Sequence, residues 1–244
     1  MSAATEVATG VRRIANPLVN WYLIEGEDGM TAVDAGFPPD WDRLKRELNG
    51  TPLKAVLLTH GHVDHVGFAE RARKELGATI YISERDAKIA RSPIPLARSE
   101  RNPLLYFLRE PQTRKLYLGA LMQRAALGQR IKEFTTFADG DELDVPGRPR
   151  VIECPGHTFG HCAIHLAERD VLFTGDALVT FDPYTARTGP CLVARAATAD
   201  SKLNLQSLDR LEQTAAKTIL VGHGDPYRGG IEEAVAKARA AGSA

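Results

Sequence analysis

No apolar run in the 244-residue chain approaches the roughly 20 residues that a helix needs to cross a bilayer, so a membrane partner is not expected. Charge of one sign is lacking too: 31 basic and 31 acidic residues cancel. Without a global basic surface, nucleic acid is not the expected partner either. Cysteine is scarce. Cys154, Cys162 and Cys191 form no CxxC pair and no disulfide framework, so each reads as a small buried residue. The opening residues MSAATEVATGVRRIANP have no continuous apolar core, and their arginines come late for a signal peptide. The cytoplasm is therefore the expected location. Repeats, low-complexity tracts and domain linkers are missing as well. One α/β domain over 1–244 is the simplest account, with 43% apolar residues to build its core.

What is present reads first as strands and then as a βα alternation. NWYLIEG (20–26) and MTAVDAG (30–36) are β-rich runs joined by a turn at EDG. Asp40 is placed to cap a helix over 41–48 that NG ends. KAVLL (54–58) reads as a buried strand, 66–76 as a helix stopped by Gly77, and 78–83 as a strand. Further strands are expected at 150–154, 162–167, 170–174 and 218–222, with helices at 200–213 and 230–241.

Residues 84–135 differ in character. They read as a helical insertion broken at Pro93, Pro95, Pro103 and Pro111, with 11 Lys/Arg against 5 Asp/Glu. Its apolar clusters LLYFL (104–108) and LYLGALM (116–122) suit packing on the body, a lid over a substrate pocket, or the surface of a homodimer.

The densest chemistry lies in LLTHGHVDHVG (57–67), which sets three histidines and an aspartate within six residues after an apolar strand. His60 and His62 are two apart, so in an extended segment both rings face one side. Imidazole and carboxylate together suit zinc and other borderline divalent metals. Three more segments repeat the setting of an apolar strand running into a Gly-containing turn. ECPGHTFGH (153–161) presents His157, VLFTGDAL (171–178) presents Asp176, and ILVGHGDP (219–226) presents His223. An α/β scaffold gathers ligands at one sheet edge in this way.

HxHxDH, PGHTxGH, TGDA and GHG, in that order and through nearly the whole chain, resemble the metallo-β-lactamase-fold superfamily. The resemblance implies an αββα sandwich, two mixed sheets flanked by helices, with the metals at one edge. It implies one metal held by His60, His62 and His157, and a second held by Asp64, His65 and His223, with Asp176 bridging. Zinc is the expected metal, with iron or manganese as substitutes. His161 reads as a residue supporting the ligands, and His165 as an ordinary strand histidine.

Such a metal pair shares a hydroxide at neutral pH and polarises a substrate oxygen. Asp64, between the sites, is the candidate to orient the nucleophile or move its proton. The expected activity is hydrolysis of an ester, thioester or lactone of a small molecule. Class B β-lactamases carry Cys or Ser where Asp176 stands, which leaves at most weak β-lactamase activity, and phosphodiester hydrolysis is a weak candidate at zero net charge. Glyoxalase II enzymes carry a C-terminal helical region for which the 21 residues after His223 leave no room in its usual form. Lactonases acting on acyl-homoserine lactones often have a tyrosine where Val179 stands; Tyr184 is the candidate to reach that space. Arg187 is the candidate to bind a substrate carboxylate or phosphate. The rival reading is an oxidoreductase resembling persulfide dioxygenases, with one iron at the three-histidine site.

Overall fold

The computed structural model describes residues 4–91, 98–125 and 130–244. Seven strands form the larger sheet in sequence order: β1 (Thr5–Ala8), β2 (Val11–Ala15), β3 (Asn20–Gly26), β4 (Gly29–Val33), β5 (Leu53–Leu57), β6 (Thr79–Ser83) and β7 (Thr135–Phe137). The first four pair antiparallel, and the pairs from β4 to β7 are parallel. The smaller sheet comprises β8 (Arg150–Glu153), β9 (Cys162–Leu166), β10 (Val171–Gly175) and β13 (Thr218–Val221), in the order β13-β10-β9-β8. It too is mixed, with β10 parallel to β13 and antiparallel to β9. A separate ribbon pairs β11 (Val179–Phe181) with β12 (Thr188–Cys191).

Side-chain alternation along β3 shows how the layers assemble. Tyr22 and Ile24 point toward the smaller sheet and join Val151, Ile164, Phe173 and Leu220 between the sheets. Trp21 and Leu23 point the other way, packing with Trp41 and Leu44 of α1 (Trp41–Leu48) and Ala69 and Ala72 of α2 (Ala69–Leu76). The outer face of the smaller sheet offers Leu172, Ile219 and Val221 to Leu208 and Leu211 of α6 (Ser201–Glu212) and Ala234 and Val235 of α7 (Ile231–Ala241). The result is the expected αββα sandwich, helices on both outer faces and two mixed sheets within. No helix of the described residues is long and apolar enough to cross a membrane.

Several local expectations are refined. α1 ends at Asn49 in the left-handed region (φ 44°), and α2 ends at Gly77 (φ 72°). Asp40 precedes α1 but does not cap it with its side chain. Its carboxylate instead accepts from Phe37 N–H and Asn16 Nδ2, both at 2.9 Å. In the insertion, Pro103 and Pro111 begin helices α4 (Pro103–Arg109) and α5 (Pro111–Met122), where the missing N–H costs nothing. A short α3 (Ala87–Ala90) precedes them, and Pro93 and Pro95 lie outside the described residues. α4 and α5 are folded against each other, with Phe107 and Tyr117 edge to face at 5.9 Å. Leu104, Leu108, Leu118, Leu121 and Met122 remain exposed.

A buried glutamate on α2 ties the insertion to the body through the Lys132 N–H. Glu70 on α2 accepts from both Nε and Nη2 of Arg73 and from Lys132 N–H, each at 3.1 Å. Burial pushes its carboxyl up, but the Arg73, Lys132 and Lys74 donors together hold it below the usual glutamate range. A depressed folded-state value gives a contribution that is full above the ordinary glutamate pKa of about 4.3 and fades as pH falls through the folded value. Glu70→Ala is expected to destabilise the protein by about 2 kcal/mol at pH 7 and by less at pH 3. Urea unfolding at the two pH values measures the difference.

Candidate metal centre

The seven candidate ligands hang from the ends of strands in both sheets. β4 stops at Val33 because Asp34 takes a left-handed conformation (φ 61°), turning its carboxylate toward the segment after β5. There Thr59 donates its N–H (2.9 Å) and hydroxyl (3.0 Å) to Asp34. His60 and His62 follow, and the chain turns with His65 N–H on the His62 carbonyl at 3.0 Å before entering α2. β8 leads to His157, β10 to Asp176 and β13 to His223. Asp86 fastens the first loop to the second, accepting from Gly61 N–H (2.9 Å), Thr158 hydroxyl (2.7 Å) and Gly160 N–H (2.9 Å).

Three groups of potential ligand atoms result: His60, His62 and His157; His60, His65 and Asp176; and Asp64, His65 and His223, each within 4.8 Å. His62 Nδ1 lies 3.0 Å from His157 Nε2. Asp176 Oδ2 is 3.1 Å from His223 Nε2, 3.5 Å from His157 Nε2, 3.6 Å from His65 Nε2 and 3.9 Å from His60 Nε2. One carboxylate oxygen therefore stands between the two halves. Asp64 Oδ2 sits 3.5 Å from His223 Nε2 and 3.8 Å from His65 Nε2.

The far side of each ring explains why the near side is bare. Nδ1 of His65 donates to Asp34 (2.8 Å), of His60 to Thr59 Oγ1 (3.0 Å), of His223 to the Leu18 carbonyl (2.5 Å) and of His157 to Thr198 Oγ1 (3.4 Å). Both threonine hydroxyls spend their own protons elsewhere, on Asp34 and on the Val193 carbonyl. In these four rings Nδ1 is thereby held by an outer acceptor and Nε2 faces the cluster. Nε2 of His60 and His65 and Oδ1 of Asp176 are buried without a hydrogen-bond partner. Orphaned acceptors packed this closely fit a cation, which is what their chemistry lacks. His161 is different. Its Nε2 accepts the Asp176 N–H at 3.0 Å and its Nδ1 faces Cys154 Sγ at 3.2 Å, so no lone pair is left for a ligand.

Electrostatics follow the same geometry. Burial first, and then the neighbouring imidazoles, push His60 and His157 well below the usual histidine range, so both are neutral. Burial also lowers His65, but Asp34, Asp176 and Asp64 overcome it and hold that ring well above its ordinary value. Asp176 is held well below the carboxylate range, despite burial, by His223 and His65.

The sequence profile of the metallo-beta-lactamase superfamily matches residues 16–223. The chain belongs to this superfamily. The matched region of the metallo-β-lactamase profile contains all seven cluster residues, and the cluster is consistent with a dinuclear metal site. A probable metallo-hydrolase, YflN, of Bacillus subtilis (strain 168) is 26% identical, over 93% of this chain and 88% of its own length. A hydroxyacylglutathione hydrolase of Cereibacter sphaeroides is 32% identical over 54% of this chain, but over only 37% of its own length. Among solved structures, a metallo-beta-lactamase family protein of Thermus thermophilus, TTHA1429, superposes with a TM-score of 0.66. It is 27% identical, over 95% of this chain and 79% of that one.

In this metallo-β-lactamase-fold chain the cluster forms the floor of a cavity of about 250 Å³, reached by His62, Asp64, His157, Asp176 and His223. Its walls are largely apolar: Phe37, Val63, Pro183 and Val193 from the body, and Leu116, Tyr117 and Ala120 from α5. The insertion thus covers the site on its inner side. Tyr184 also lines the cavity. Its loop is organised by buried Asp182, which accepts from Tyr184 N–H (3.2 Å) and Ala194 N–H (3.3 Å), while Thr113 of α5 donates to the Tyr184 carbonyl at 2.9 Å. Arg187 is not brought to the cavity. Its Nη1 is drawn to the unpaired carbonyls at the end of α7, Ala241 at 2.9 Å and Gly242 at 3.0 Å.

Asp34, Asp86, Thr198 and the Leu18 carbonyl are not foreseen from the sequence. Asp34 has a signal, since it ends an apolar strand beside a Gly turn in the same setting as the foreseen ligands. The other three carry none, because their role depends on loops meeting across the fold.

Proposed function

We propose that the protein is a dinuclear metal-dependent hydrolase acting on an ester, thioester or lactone of a small molecule in the cytoplasm. The observation that carries this is the complete ligand set, split into two groups about Asp176 Oδ2 and opening onto an apolar cavity. His60, His62 and His157 would hold one ion and Asp64, His65 and His223 the other, with Asp176 shared. Zinc is the proposed metal. When bound, such a pair supplies a water acidified toward neutral pH and an electrophile for a carbonyl oxygen.

The protein's own groups do the rest. The apolar walls exclude bulk water and receive the acyl portion of the substrate. Asp64 is the most exposed of the ligands, its side chain 20% accessible, and borders the cavity. Its carboxylate is placed to orient the attacking water and to hold its proton. The Tyr184 phenol borders the cavity beside Tyr117 and is held protonated by burial; turned from Tyr117 to a bound substrate, its O–H would donate to the substrate oxygen.

Metal analysis of protein purified without added metal is the first test, with about two zinc ions per chain expected. Thioester, lactone, aryl ester, phosphodiester and β-lactam substrates then follow as a panel. One iron per chain with oxygen uptake on glutathione persulfide would overturn the proposal. Tyr184→Phe is expected to lower kcat/KM by about tenfold to a hundredfold at unchanged metal content. An unaltered kcat/KM removes Tyr184 from the mechanism.

A further inference from the structure

A second cavity, of about 690 Å³, lies on the other side of α4 and of the Tyr184 loop. Pro103 and Tyr184 face the metal cavity, whereas Tyr106, Arg109, Thr185 and Arg187 face this one. Four guanidinium groups line it, those of Arg101, Arg109, Arg187 and Arg195, against one acidic side chain, Glu110, and the main-chain carboxyl group of Ala244, which already accepts from the Tyr106 hydroxyl and the Arg195 N–H. Arg187 is occupied by the α7 carbonyls. Arg195 donates to Ser243 Oγ at 3.0 and 2.7 Å and has Glu100 at 3.8 Å. Arg101 and Arg109 have no side-chain partner among the described residues.

Like charges converge on a concave site at a cost unless an anion answers them. Nothing in the hydrolytic reading requires this, and the structure uses none of these arginines near the cluster. From the geometry we infer that this cavity binds a phosphate-bearing anion. Guanidinium forks match phosphate oxygens two at a time, and the volume is that of a small-molecule site. Tyr106, whose hydroxyl donates to the Ala244 carbonyl at 2.9 Å, closes one side. Its ring also meets Tyr184 edge to face at 6.4 Å, so the anion site and the metal cavity share a wall. The anion is either a separate ligand or the phosphate-bearing carrier of the substrate itself.

Pyrophosphate is the probe, titrated calorimetrically into metal-loaded protein at constant ionic strength and compared with R101Q/R109Q. The metal cluster is intact in both, so any pyrophosphate bound there contributes equally and the difference reports the arginine cavity. Binding about tenfold weaker or more is expected at that site in the double variant. Equal isotherms overturn the inference. Both arginines are exposed and their replacement leaves the core untouched; should the double variant fold poorly, the single variants R101Q and R109Q give the same comparison. Turnover identifies the source of the anion. Selective loss of kcat/KM on acetyl-coenzyme A, with S-acetyl-N-acetylcysteamine unchanged, assigns the cavity to the substrate carrier. Equal turnover of both in the two proteins, with the binding difference retained, assigns it to a separate phosphate ligand. The binding arm is independent of hydrolysis, so failure of the hydrolase reading leaves it standing.

Discussion

Asp176→Ala is expected to bind fewer than two metals per chain and to lose on the order of a thousandfold in kcat/KM, about 4 kcal/mol of transition-state stabilisation. The reason is positional. Asp176 Oδ2 is within 4 Å of Nε2 of His60, His65, His157 and His223, and so is the one atom common to both halves of the cluster. Its backbone placement does not depend on its side chain, because the N–H is held by His161 and β10 by its neighbours. The variant should therefore fold, which near-ultraviolet circular dichroism checks, while metal content and turnover fall together. Retention of both metals with turnover within tenfold of the parent would show that the two sites do not share this carboxylate.

The second large effect belongs to a residue that touches no metal. Asp34 is 3% exposed and fully engaged: one oxygen accepts from Thr59 N–H, the other from His65 Nδ1–H, and the Thr59 hydroxyl donates between them. Through Thr59 it also orients His60, so one carboxylate fixes a ring in each half. Asp34→Ala is expected to weaken metal binding by about ten- to a hundredfold. It should also cost about 3 kcal/mol of stability, because three buried donors lose their acceptor. Competition with a chromophoric chelator measures the first effect and thermal unfolding of chelator-treated protein the second. A purely structural residue would alter unfolding without changing chelator competition.

The ligands are legible in the sequence because each lies beside the strand that carries it. In THGHVDH four of them fall within six residues, GDA and GHG each follow a run of buried apolar residues, and GHT follows the half-buried strand β8. The layers are legible for a related reason, since alternation in NWYLIEG separates the two faces of the sheet. β1, β2 and the β11–β12 ribbon escape such a reading, being no more than five residues long and only partly buried. The prolines mislead in one respect. Pro103 and Pro111 read as breaks, whereas they stand at the first turn of α4 and α5, where proline is well suited. Arg187 suggests a ligand when its loop is considered alone, and only the fold reveals that α7 ends close enough to claim it. The Asp86 clasp joins residues 61 and 158–160, a distance in sequence that no local pattern records.

Every candidate ligand follows the C-terminal end of its strand, and the opposite ends of those strands carry none of them. The exposed turn at Glu27 and Asp28 is separated from Asp34 by the length of β4, about 17 Å at roughly 3.3 Å per residue. The ligands and this turn thus occupy opposite rims. An affinity handle, fluorophore or surface linker attached at that turn leaves the reactive rim facing solution, which makes this the natural point for immobilising the protein.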